Sequence, residues 1–359
     1  MIHKKNILFF IGGSFPSGGA ERHLFRLIRS LKELELYNIE LMLINENFNI
    51  FENLNIKIHH FKVGRRLISA QTLLSLIKLR KKIKKFTLVH SFLNETNFLS
   101  VFFKLFSKNT KLIISKRNQD KLENIKLFYA NVSNYYSDII TVNSRSMIDW
   151  YKNNERINLD KIRYLPNSID DHWSFNEKKF DSSKIVITNI GYLNHKKNQL
   201  ALIKAFAKLK KEIDNIVLKV VGKGKLYNDL VFEIKKLNIV DYVFLINNCD
   251  DVKDLLHKTN IFVLPSIREG MSNALLEAMA CGIYCIATDT GGSKELIKIS
   301  GHGMLIKDNS DKEIYKCLKQ AIINNKYSRS KEASKAVKSI FSVKNMIDEH
   351  LILYDELIG

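Results

Sequence analysis

Proline and cysteine are scarce in this chain, with 3 and 4 among 359 residues. No stretch approaches the roughly 18 consecutive apolar residues of a membrane-crossing helix; the nearest, FLSVFF, is broken by Lys104. Cys249, Cys281, Cys285 and Cys317 show neither a Cys-x-x-Cys spacing nor a Cys/His ligand pattern, so no disulfide framework or metal knuckle is expected, which fits a reducing cytoplasm. Acids are also short: 37 against 57 lysines and arginines, a net charge of +20. That excess implies an anionic partner, whether nucleic acid, a membrane surface or a phosphorylated substrate, without choosing among them.

What is present is hydrophobic material, 45% of the chain, enough for substantial cores and against general disorder. At this length two domains are expected. The opening MIHKKNILFFIGG has an apolar stretch that ends at Gly12 with no small-residue cleavage site after it, and reads as a first β-strand. NILFFIG, IELMLIN, LVHSF, KLIISKR and DIITVN then alternate with amphipathic segments, and IVITNIG, IVLKVVG, YVFLIN, IFVLPS and YCIATD repeat the style. Such alternation predicts an α/β chain of two doubly wound parallel sheets, with chemistry at the carboxyl ends of the strands. Pro166, followed by Asn, Ser and two Asp, marks the boundary, with a linker from about Pro166 to Ser182. The expected domains are 1–170 and 171–340.

Five strand-to-helix turns could carry chemistry. In SGGAERHLFRLIRSL, Gly18 and Gly19 let backbone approach a ligand ahead of a helix whose free N–H groups attract anions, although a plain tight turn reads equally well. The spacing is neither G-x-G-x-x-G nor a Walker loop. In GYLNHKKNQL, Lys196 and Lys197 head a helix and suit a pyrophosphate, or form a solvated basic turn. In PSIREGMSNALLEAMACG, Glu269 and Glu277 are eight residues apart across a loop and a helix start, where two carboxylates can each accept from paired hydroxyls of a ribose or hexose. The alternative is a helix-capping Glu269 and a solvated Glu277, against which stands the apolar company of Leu275, Leu276, Ala278 and Met279. VVGKGKL, with Gly222 and Gly224, and ATDTGGSKELI, with Gly291 and Gly292, are turns of the same kind.

Taken in order, SGGAER, YLPNSID, GYLNHKKN, VGKG, the E-x7-E segment and ATDTGGSKELI give a chain that resembles the retaining GT-B glycosyltransferases of family GT4 over nearly its whole length. The resemblance implies two Rossmann-like domains facing a cleft, acceptor on the first and nucleotide-sugar on the second, with the chain beyond about Phe341 packed back on the first. It implies that Glu277 holds the nucleotide ribose, Glu269 contacts the transferred sugar, Lys197 binds the diphosphate, and Gly18 and Gly19 lie against the donor. Gly222, Arg268, Gly270, Met271 and Ser272 complete the implied donor site. Two departures stand out. Tyr192 occupies the place of a family arginine, whose charge Arg268 or Lys196 would replace, and Arg117 follows the fifth strand where the family often has histidine.

No D-x-D stands in a strand-end loop, and Asp250-Asp251 reads as a helix start in DDVKDLL, so neither a metal nor another cofactor is expected. A nucleic-acid-binding protein is the competing class, but no zinc-finger, RNP or basic helix-turn-helix pattern occurs, and nucleic acid is not an expected partner. Another GT-B enzyme, such as a sugar-nucleotide epimerase or a phosphorylase, is the nearer alternative. The positive charge is local: fifteen lysines and arginines lie between Lys57 and Arg117 against one acid, Glu95. Leu73, Leu74, Leu76, Ile77 and Leu79 adjoin the run KLRKKIKK, predicting a basic amphipathic helix for an anionic lipid surface. The expectation is a peripheral enzyme on the cytoplasmic leaflet that moves a hexose or N-acetylhexosamine from a nucleotide-sugar, UDP favoured over GDP, to a lipid-diphosphate-linked saccharide in surface polysaccharide or lipopolysaccharide assembly.

Overall fold

The computed structural model describes residues 4–12, 18–44, 49–64, 67–175 and 184–359. Pro16, and residues 176–182 of the linker expected from about Pro166 to Ser182, lie outside them. The chain divides into two compact units, Met1–Ser168 with Val343–Gly359, and Ile169–Ser342.

The first unit alternates β1 (Lys5–Ile11), α1 (Gly19–Glu33), β2 (Tyr37–Ile44), β3 (Lys57–Phe61), α2 (Ala70–Ile83), β4 (Leu88–Phe92), α3 (Asn94–Phe106), β5 (Lys111–Lys116), α4 (Asn124–Tyr136), β6 (Ile139–Val142), α5 (Ser146–Asn154) and β7 (Ile162–Tyr164). The strands pair in parallel in the order β3-β2-β1-β4-β5-β6-β7. Helices cover both faces, so strands such as Ile7 to Ile11 are apolar without alternation and fully buried.

The second unit runs β8 (Ile185–Ile190), α6 (Gln199–Lys210), β9 (Ile216–Val221), α7 (Tyr227–Lys236), β10 (Val243–Ile246), α8 (Val252–His257), β11 (Ile261–Leu264), α9 (Asn273–Ala280), β12 (Tyr284–Thr288), α10 (Ser293–Ser300), β13 (Gly303–Ile306), α11 (Asp311–Ile323) and α12 (Lys331–Ile340). Its order, β10-β9-β8-β11-β12-β13, repeats the first unit's arrangement. Both are doubly wound α/β, Rossmann-like sheets. Strand order reverses between β1 and β4 in one and between β8 and β11 in the other, and ligands of open α/β sheets bind beyond the carboxyl ends at that point. As the sequence predicts, Asp251 caps α8, accepting from the Asp254 N–H at 2.8 Å. The four thiols are all free.

The last helix, α13 (Val343–Ile358), belongs to the first unit, where Met346, Ile347, Leu353 and Tyr354 join the core of Leu24, Leu27 and Ile28 from α1. The basic segment forms α2, capped by Ser69, whose hydroxyl accepts from the Thr72 N–H at 3.2 Å. Its apolar residues divide between two faces: Leu76 and Ile83 enter the core, whereas Leu73, Leu74 and Ile77 stay exposed. No helix among the described residues is long and apolar enough to cross a membrane.

Candidate active site

In the second unit the loops leaving β8 and β9 are locked together. Gly191 N–H donates to the Val221 carbonyl at 2.9 Å, and Leu193 N–H to that of Lys223 at 2.8 Å. Gly222 adopts φ +149°, and a Cβ there would lie 2.0 Å from the Gly191 carbonyl oxygen, so only glycine fits. After Gly191 and the half-buried Tyr192, residues His195–Lys197 form a 3-10 turn whose Asn194 side chain accepts from the Lys197 N–H at 3.1 Å. Asn198, in the left-handed region at φ 58°, then redirects the chain into α6.

The loop leaving β11 meets this turn: Ile267 N–H donates to the Lys196 carbonyl at 2.7 Å. That bond sets Lys197 beside Glu269, and its ammonium donates to Oε1 at 2.7 Å and to Oε2 at 2.8 Å. The pair is partly solvated, with side-chain exposures of 22% and 12%. An incoming diphosphate can therefore compete with Glu269 for the ammonium, while the carboxylate keeps acceptor capacity for sugar hydroxyls.

Beyond the buried Gly270, Met271 and Ser272, α9 starts under a cap in which Ser272 Oγ accepts from the Leu275 N–H at 3.4 Å. Every residue of α9 is buried, Glu277 included, which removes the reading of Glu277 as solvated surface. The turn after β12 closes on the same loop: Gly292 N–H donates to the Gly270 carbonyl at 2.6 Å. At Gly291, φ +55°, a Cβ would lie 2.1 Å from that carbonyl oxygen. Lys197, Glu269, Gly270, Met271, Ser272, Gly222 and Tyr192 thus occupy three joined loops and a helix start around the β8–β11 switch point. Lys196 and Arg268 stand exposed on the same loops.

Sequence reasoning missed three hydroxyls in this unit. Ser266 after β11, Thr288 at the end of β12 and Ser293 at the head of α10 are buried with no hydrogen-bond partner for their oxygens. Their signal was position alone, since each sits at a strand's carboxyl end or a helix start.

In the first unit Gly18 caps α1, its carbonyl accepting from the Arg22 N–H at 3.1 Å, and Gly19 opens the helix. Arg117 follows β5 and is buried. Its Nη1 donates to Asn167 Oδ1 at 2.8 Å, its guanidinium lies 5.3 Å from the Phe92 ring centroid, and its Nε has no partner. Burial brings its pKa down to about 9, and among the described residues it has no carboxylate partner. A buried unpaired guanidinium is costly unless an anion joins it. Arg117→Lys keeps the charge and loses the fork, so activity is expected to fall by about tenfold or more at unchanged melting temperature. Wild-type kinetics in that variant would make Arg117 a structural residue.

Three histidines unremarked in the sequence surround this region. His90 of β4 hydrogen-bonds Tyr354 of α13 through Nδ1 and Ser115 of β5 through Nε2, both at 2.8 Å. His350 lies 5.9 Å from His23 and 6.0 Å from His90, centroid to centroid. Burial holds all three imidazoles neutral, His350 down to about 4, with Arg117 adding repulsion. In the unfolded chain they protonate near 6.5, so stability drops as pH falls from 6.5 towards 4. The expected loss reaches about 1.4 kcal/mol per pH unit for His350, with His23 and His90 acting in the same direction. Urea midpoints across that range measure it; a pH-independent midpoint would contradict the buried neutral cluster.

Two Rossmann-like parallel sheets in succession, the second carrying the lysine–glutamate pair on its switch-point loops and a buried second glutamate on α9, are the architecture of the GT-B fold. The family comparisons agree: residues 17–173 match the model described as Glycosyltransferase Family 4, and residues 171–338 that described as Glycosyl transferases group 1. The chain belongs to the GT4 family of GT-B glycosyltransferases.

Among curated relatives it is 29% identical over 362 residues, 97% of this chain and 98% of the relative, to a Campylobacter jejuni GalNAc-alpha-(1->4)-GalNAc-alpha-(1->3)-diNAcBac-PP-undecaprenol alpha-1,4-N-acetyl-D-galactosaminyltransferase. It is 26% identical over 340 residues, 88% and 90% of the two chains, to that organism's N-acetylgalactosamine-N,N'-diacetylbacillosaminyl-diphospho-undecaprenol 4-alpha-N-acetylgalactosaminyltransferase. Among solved structures, Anabaena Alr3699/HepE in complex with UDP-glucose superposes with a TM-score of 0.84 at 16% identity, over 98% of this chain and 99% of that one.

Proposed function

We propose that this enzyme transfers a hexose or N-acetylhexosamine, with retention of configuration, from a nucleotide-sugar to a lipid-diphosphate-linked saccharide at an anionic membrane surface. The observation that carries the reading is the Lys197 ammonium held by both oxygens of Glu269, on loops that join the start of a helix burying Glu277. Lys197 and the N–H groups opening α9 stabilise the departing diphosphate, so no metal or other cofactor is needed. The acceptor hydroxyl oxygen bonds the anomeric carbon on the face from which the diphosphate leaves, and its proton passes to a diphosphate oxygen. Glu269 steadies the sugar hydroxyls and Glu277 takes the ribose, while in the first unit Arg117 serves the acceptor.

The names of the two Campylobacter relatives, both N-acetylgalactosaminyltransferases of undecaprenyl-linked acceptors, support an N-acetylhexosamine and a lipid-diphosphate carrier. The basic, partly apolar surface of α2 supports a peripheral place on the cytoplasmic leaflet. Calorimetry separates the donor readings. UDP is expected to bind at least tenfold more tightly than GDP, with a chelator leaving the affinity unchanged; binding of neither nucleotide would overturn the donor site.

A further inference from the structure

Helix α4 is built inside out. Its inward face is small and polar: Ala130, Ser133 and Asn134 are buried. The Asn134 amide donates to Glu155 Oε2 at 2.9 Å and to the Arg156 carbonyl at 3.1 Å. Glu155 in turn holds the Lys116 ammonium at 2.6 Å, both side chains almost wholly buried. This network needs its hydrogen bonds, so α4 cannot rotate its apolar residues inward without orphaning a buried charge.

The opposite face consequently carries Ile125, Phe128 and Tyr135, with the half-buried Val132 at the stripe's edge packed on the core, at spacings of three, four and three residues. Ile125 is 55%, Phe128 55% and Tyr135 75% exposed. Beside the stripe runs a groove of about 970 Å³ lined by Phe128, Tyr135, Tyr136 and Arg156, in which Lys104 is paired with Asp138 and Lys161 donates to the Tyr135 and Ser137 carbonyls. The N-terminal end of α4 and the turn before it carry Lys121 and Lys126, both exposed, with Asp120 and Glu123 beside them. On the other side α3 packs against α4 and also against α2, and α3 itself exposes Leu105. Helix α3 thus lies between α4 and the basic helix α2, whose Leu73, Leu74 and Ile77 are exposed.

We propose that the apolar stripe of α4 is a second membrane-contact element, seated in the interface of an anionic phospholipid bilayer, with Lys121, Lys126 and Arg156 on lipid phosphates and Phe128, Tyr135 and Tyr136 at headgroup depth. Charge complementarity selects this occupant, and amphipathic tyrosines suit the wet edge of a bilayer. The inference rests on the membrane reading of α2 above and assigns a different job to α4. The basic run supplies salt-sensitive attraction, whereas the α4 stripe supplies apolar burial that salt does not screen.

The test is sedimentation of the full chain with vesicles of phosphatidylglycerol and phosphatidylcholine, against phosphatidylcholine alone, at low and high salt. Three proteins are compared: the wild type, an α2 variant with Lys81, Lys82, Lys84 and Lys85 changed to Gln, and an α4 variant with Ile125→Ser, Phe128→Ser and Tyr135→Ser. All α4 changes are at exposed positions, so an unchanged melting temperature is expected. The α4 variant should lose about tenfold or more in partitioning at both salt concentrations with the wild-type salt dependence, and the α2 variant should flatten the salt dependence. An α4 variant that binds like wild type, beside a weakened α2 variant, overturns this inference and leaves the membrane reading standing. A wild type that ignores anionic vesicles overturns both, while the transfer reaction is judged separately on a lipid-linked acceptor. A dimeric wild type made monomeric by the α4 substitutions, with vesicle binding intact, assigns the stripe to self-association and overturns the proposal.

Discussion

Lys197→Ala is expected to lower kcat by about 10²–10³-fold, the range for removing one preorganised group that stabilises charge developing in a transition state. Two effects combine. The departing diphosphate loses its ammonium, and Glu269, held by that ammonium at 2.7 and 2.8 Å, loses its fixed orientation. The nucleotide affinity should weaken less than kcat falls, because charge on the diphosphate grows as the glycosidic bond breaks. Lys197→Arg should recover part of the loss. A Lys197→Ala enzyme that keeps its kcat would show that the pair only ties two loops, a task the Ile267 to Lys196 backbone bond at 2.7 Å already performs.

Glu277→Ala should act on binding instead. The residue lies inside α9, where alanine is a strong helix former, so the fold should persist. Losing a buried charge-assisted hydrogen bond is expected to cost about 1–3 kcal/mol, raising the Kd for the nucleotide by about 5- to 150-fold. Turnover at saturating donor should change far less, since the ribose does not move during transfer. Calorimetry with the free nucleotide measures the first and initial rates the second. An unaltered Kd would remove Glu277 from the donor site.

The central strands were legible because parallel strands covered on both faces must be apolar throughout, as NILFFIG and KLIIS show. The strands that escaped notice are β3, β7 and β13, all at sheet edges, where KIHHF, IRY and GMLI are short or mixed in polarity. In the second unit the glycine turns and E-x7-E spacing located the loops. Nothing in the spacing announced that Lys197 and Glu269 would meet, because a contact across 72 residues depends on how β8 and β11 neighbour in the sheet. The histidines were silent for a similar reason: His23, His90 and His350 come from α1, β4 and α13 and converge only in the folded unit. Helix α4 misleads in the opposite sense, since its apolar stripe reads as a core face until the buried Lys116–Glu155 pair claims the inward side.

The most direct test of the account is a transfer assay with purified enzyme, a UDP-linked α-N-acetylhexosamine and an undecaprenyl-diphosphate-linked saccharide, with the product's anomeric configuration read by NMR. The account expects one sugar added in the α configuration, in the presence of chelator. A β-linked product, epimerised or hydrolysed donor without transfer, or no transfer to any lipid-diphosphate acceptor would contradict it.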